Sequence, residues 1–124
     1  MQLTSFFVDK QRYCEKVAMD ADRITKLKEF QKNSPDDPFY IYALALEYKY
    51  ENPGESLKYF RELLAGHSHY LPAYYHAAEV LAGTGDREQA DQVYQLGIAL
   101  AKEQGDSHTL RELQNAYTNF QFDD

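Results

Sequence analysis

Four histidines, one cysteine and 11 tyrosines are the side chains of this 124-residue chain from which chemistry could be built. His67-x-His69 and His76 could converge on one ion, since imidazole is a common zinc ligand. No carboxylate or Cys stands at ligand spacing beside them, and there is no His-x3-His or Cys-x2-Cys pair, so no metal site is expected. His67 and His69 read instead as solvated loop residues, His76 as part of the following helix, and His108 as lying at the start of the last one. Nucleophile and phosphate signatures are also missing. There is no Gly-x-Ser-x-Gly, no Gly-x-Gly-x2-Gly and no phosphate-cradling glycine loop, and Gly83-x-Gly85 is turn chemistry between two helices. Cys14 has Arg12 and Lys16 nearby but no His near it in sequence, and it reads as a packed thiol. Asp36-Asp37, Asp86 and Asp106 are accounted for by turns and caps. The expectation is a protein without catalytic residues or cofactor.

The elements that position these residues follow from composition. Tyr and Phe supply the aromatic residues with no Trp, β-branched runs are few, and Ala, Leu, Glu, Lys and Gln fill the remainder, which predicts an all-α fold. The length suits a single domain over residues 1–124. Lys and Arg total 13 against 20 Asp and Glu, a net charge of −7, which repels phosphate backbones and argues against nucleic acid and anionic membrane as partners. The longest apolar stretch, Phe39 to Leu46, is far short of the ~20 residues that span a bilayer. The stretch from Met1 to Lys10 lacks a basic region followed by an apolar one. One cysteine cannot form an internal disulfide. A cytoplasmic protein is expected.

Capping chemistry marks the helices. Asp37 before Pro38 places an acceptor at the N-cap and a residue lacking an N–H in the first turn, so a helix starts at Pro38 and buries Ile41, Leu44, Ala45 and Tyr48 on one face. Asn52-Pro53-Gly54-Glu55 opens a second helix through Leu57, Phe60, Leu63 and Leu64, with Gly66 as a left-handed stop. Pro72 starts a helix carrying Tyr74, Ala77, Ala78 and Leu81, ended by Gly83-Thr84-Gly85. Asp86 and Gln89 form a capping box for a helix through Ala90, Val93, Tyr94, Gly97, Ile98 and Ala101 that runs to Gln104. Asp106 or Ser107 caps a last helix with Leu110, Leu113, Ala116, Tyr117 and Phe120, beyond which residues 121–124 fray. Upstream, Ile24, Leu27 and Phe30 mark a helix ending before Ser34-Pro35. Phe6, Phe7, Tyr13, Val17 and Ala18 suit an amphipathic helix, and Asp20-Ala21-Asp22 reads either as a break or as a helix start.

Shifted by 33–34 residues, the chain matches itself. Ile41-x2-Leu44-Ala45-x2-Tyr48 falls on Tyr74-x2-Ala77-Ala78-x2-Leu81, and Ser56-x3-Phe60 on Ala90-x3-Tyr94. Small residues at 45, 78, 56 and 90 let paired helices approach, while Tyr48, Phe60, Leu81 and Tyr94 fill the gaps between hairpins. These residues resemble the tetratricopeptide repeat over 38–101 and more loosely over 20–37. The family's closing proline occurs only at Pro35, and Gly97 stands where alanine is usual. The resemblance implies a right-handed α-solenoid of antiparallel hairpins. Residues 1–37 would form a degenerate N-terminal segment, 38–66 and 72–104 two full repeats, and 107–120 a capping helix.

It further implies a protein–protein interaction scaffold whose groove is lined by the first helix of each hairpin. The groove positions are Phe39, Tyr42, Leu46 and Lys49, followed by Tyr75, Glu79 and Ala82, with His76 beside them. Tyr42 and Tyr75 are the expected anchors, because tyrosine offers large contact area at small entropic cost. The family members that grip a C-terminal carboxylate use Lys and Asn where this chain has Tyr42, Leu46, Tyr75 and Glu79, so an apolar or basic-flanked segment suits it better. The alternative is self-assembly into a homo-oligomer through the stack ends, with Phe6, Phe7 and Tyr13 packing on another copy.

Overall fold

The structure is a computed structural model that describes residues 20–123. Its elements are α1 (Ala21–Asn33), α2 (Pro38–Tyr48), α3 (Pro53–Gly66), α4 (Pro72–Gly83), α5 (Arg87–Gln104) and α6 (Ser107–Phe122), with no strand among the described residues. Each helix packs on its successor, and α6 also reaches back to α4. The fold is an all-α helical repeat solenoid. The readings made of Phe6, Phe7, Tyr13, Cys14, Val17 and Ala18 lie outside the described residues.

The helix starts are those the capping residues predict. Asp37 Oδ1 accepts from the Phe39 N–H at 3.0 Å, Asn52 Oδ1 from Glu55 at 3.2 Å, Asp86 Oδ1 from Gln89 at 3.2 Å and Asp106 Oδ1 from Thr109 at 3.0 Å. Each satisfies a donor that the helix itself leaves free. Asp20 Oδ1 does the same for the Arg23 N–H at 3.0 Å, so Asp20-Ala21-Asp22 is a helix start and not a break. These cap hydrogen bonds and the Arg23 charge hold the Asp20 carboxyl below the usual carboxylate range, and Thr109 does so for Asp106.

Two helix ends differ from expectation. Gly105, at φ 71°, closes α5 in the left-handed region as predicted. Gly66 does not: it is the last residue of α3, and the stop comes one residue later, where the His67 N–H reaches the Leu63 carbonyl at 2.7 Å. α6 continues to Phe122, two residues beyond the expected end at Phe120. Arg87 holds that turn from the start of α5, donating through Nη2 to the Phe120 carbonyl at 2.8 Å while its guanidinium lies 4.2 Å from the Phe120 ring centre.

The core runs through the helix crossings. Ala45, Ser56, Ala78 and Ala90 are each 0% exposed, as small residues at contact points must be. Ser56 Oγ donates to the Ala45 carbonyl at 2.7 Å, tying α3 to α2 and satisfying a buried hydroxyl. Phe60, Leu81 and Tyr94 fill the spaces between layers. Tyr48 is half-buried, not core: its ring stacks on Tyr59 at 5.9 Å. Phe30 is also outside the core, half-exposed and stacked on Tyr40 at 5.5 Å.

Candidate functional site

A cleft of about 580 Å³ opens between α2, α4 and α6. Tyr42 enters it from α2, Tyr75 and His76 from α4, and Glu112, Asn115 and Asn119 from α6. Helical spacing explains the last set, because positions three, four and seven apart share a face. Tyr42 packs edge-on against Tyr70 at 5.4 Å and lies 5.9 Å from the His76 ring, which in turn meets Tyr75 at 5.3 Å. These rings form a continuous aromatic wall. Burial, and secondarily the neighbouring Tyr70, raise the Tyr42 phenol above its ordinary range.

Beside this wall lies a polar triad. Lys49, immediately after α2, is 8% exposed, an unusual depth for a lysine. Its ammonium donates to His76 Nδ1 at 2.9 Å and is paired with Glu79. An ammonium can only donate, so Nδ1 is the acceptor and the imidazole proton sits on Nε2. Burial and then the Lys49 charge lower the His76 pKa to about 4, against a smaller opposing pull from Glu79. His76 is therefore neutral at physiological pH, and Lys49 and Glu79 balance each other's charge.

Among the groove positions read from sequence, Tyr42, Tyr75 and His76 meet at the cleft. Lys49 and Glu79 adjoin it and line a smaller hollow of about 320 Å³ with Tyr50 and Pro53. Leu46 and Ala82 are half-buried against the core, and Phe39 is half-exposed, edge-on to Tyr40 at 5.5 Å. Sequence reasoning missed the α6 wall, having read that helix only as a cap. The i, i+4 pair Asn115 and Asn119, on a polar stripe to one side of the face that buries Leu113 and Phe120, was the available signal.

His67 and His69 lie in the turn before α4, where the His69 carbonyl accepts from Gln104 Nε2 at 2.9 Å. Among the described residues no three His, Cys, Asp or Glu side chains are grouped to hold a metal ion. No described helix is long and apolar enough to cross a membrane.

No protein-family model matches the chain, and no curated protein matches it either. Solved structures do. The crystal structure of a tetratricopeptide repeat domain protein from Salinibacter ruber is 35% identical, with a TM-score of 0.65 over 68% of this chain and 96% of that one. A solution NMR structure of a tetratricopeptide repeat domain protein from the same organism is 36% identical, with a TM-score of 0.65 over 69% and 88%. The solution structure of a Bordetella parapertussis protein is 26% identical, with a TM-score of 0.68 over 78% and 85%. Identity of this order across nearly the whole Salinibacter ruber domain, on the same arrangement of helices, means that the chain belongs to the tetratricopeptide repeat family.

Proposed function

We propose that this protein is a non-catalytic interaction module that holds a peptide or extended protein segment in the cleft between α2, α4 and α6. The observation that carries the reading is the meeting of Tyr42, Tyr75 and His76 with the amides of Asn115 and Asn119 around one open volume. Rings supply contact area at low entropic cost, and amides can both donate to and accept from the backbone of an extended strand. The family supports it, since tetratricopeptide repeats generally serve protein–protein interaction. On this reading the chain acts as one domain, with full repeats over 38–66 and 72–104 and α6 serving both as cap and as a wall of the site.

The test is affinity capture with the full chain beside a Tyr42→Ala, Tyr75→Ala variant, after circular dichroism establishes that the variant retains its helicity. Both rings are only half-buried, so the fold is expected to survive. Loss of the wild-type partner from the variant locates the site in the cleft, whereas undiminished capture moves it elsewhere.

A further inference from the structure

Resting on that reading, we propose that the segment held in the cleft carries a basic side chain, arginine or lysine, which docks against Glu112. The argument is one of charge. Among the described side chains lining the cleft, Glu112 alone bears a formal charge at neutral pH, because His76 already receives the Lys49 ammonium at Nδ1 and stays neutral. The adjoining Lys49–Glu79 pair is internally balanced, so it neither attracts a basic ligand nor repels it. Glu112 also pairs with His108 at 3.3 Å, but both side chains are mostly exposed, and exposed pairs hold weakly enough for an incoming cation to replace them.

The surroundings suit a cation in a second way. The faces of aromatic rings attract ammonium and guanidinium groups, and the cleft presents Tyr42 and Tyr75. Asn115 and Asn119 offer side-chain carbonyl acceptors beside the carboxylate. The chain as a whole, at −7, favours a positively charged partner on approach. An acidic segment would meet Glu112 with like charge.

Three helices at ~10 Å spacing span ~20 Å, about six or seven extended residues. The probes are therefore acetylated, amidated peptides of about nine residues with randomised flanks and a fixed centre of arginine, glutamine or glutamate. They are titrated into the full chain by fluorescence anisotropy. The arginine set is expected to bind about tenfold more tightly than the glutamine set, with the glutamate set weaker still. Glu112→Gln should abolish that preference, and Glu112→Lys should turn it toward glutamate. Tyr42→Ala with Tyr75→Ala should weaken every arm. Equal binding of all three sets, or a preference untouched by Glu112→Gln, overturns the inference; if the tyrosine variant still weakens binding, the cleft itself stands. Absence of binding in every arm up to ~1 mM, or binding indifferent to the tyrosines, overturns both.

Discussion

At Gly97, α5 passes close against both α4 and α6. A Cβ placed there would lie 2.8 Å from the Tyr74 Cβ and 3.3 Å from Leu113 Cδ1. The leucine tip can turn aside, but the Tyr74 Cβ is fixed to the α4 backbone, so alanine can fit only if the helices separate. Alanine gains about 1 kcal/mol in helix propensity, and overpacking costs ~1–3 kcal/mol. Because the contact at 2.8 Å is with a backbone-fixed atom, Gly97→Ala is expected to destabilise the fold by a net of up to ~2 kcal/mol and so to lower the urea midpoint; a raised midpoint would mean that the helices slide freely. His76 makes a second prediction at this scale. Its pKa is about 4 in the folded chain and near the ordinary 6.5 when unfolded, so between those values the unfolded state binds more protons. Stability is full above pH ~6.5 and is lost as pH falls toward ~4. Allowing for the remaining exposure of the ring, the loss at about pH 5 is on the order of 1–2 kcal/mol. His76→Gln should flatten this part of the wild-type pH profile, read by chemical denaturation at matched ionic strength; identical slopes in the two proteins would count against it.

The helices owe their boundaries to local chemistry and their roles to neighbours distant in sequence. Asp37, Asn52, Asp86 and Asp106 were legible because an N-cap needs only a side-chain oxygen and an amide two or three residues away. Small residues at the crossings were legible through periodicity. Lys49 was not: its burial depends on His76 and Glu79, 27 and 30 residues on, and spacing alone placed it on an open face. The wall made by α6 was missed for the same reason, as its contact with α4 skips an entire helix. At Gly66 residue type misled, because the backbone took helical geometry and the His67 amide made the closing hydrogen bond. The attachment of α6 is a property of two elements and can be tested as one. Arg87→Ala removes the hydrogen bond to the Phe120 carbonyl and the contact with its ring, which together stabilise by about 1–2 kcal/mol. Amide exchange should accelerate in the last turn of α6 while α2 and α3 keep their protection. Uniform acceleration along the chain would show instead that α6 opens only with everything else.

Across the whole molecule, the layers contact mainly their immediate neighbours, so stability accrues from one helix to the next. The final layer departs from this rule by touching both α5 and α4. Gln95 and Asp91 bind Tyr117 from α5, with the Tyr117 hydroxyl donating to Asp91 Oδ1 at 2.7 Å, while Asn115 and Asn119 look onto the cleft. Leu113 meanwhile covers Gly97. A ligand lodged against α6 would thus act as a clasp on the terminus, slowing protease attack at the Gly105 turn, and a single nick there would strip away half the lining of the cleft and wet the interior together.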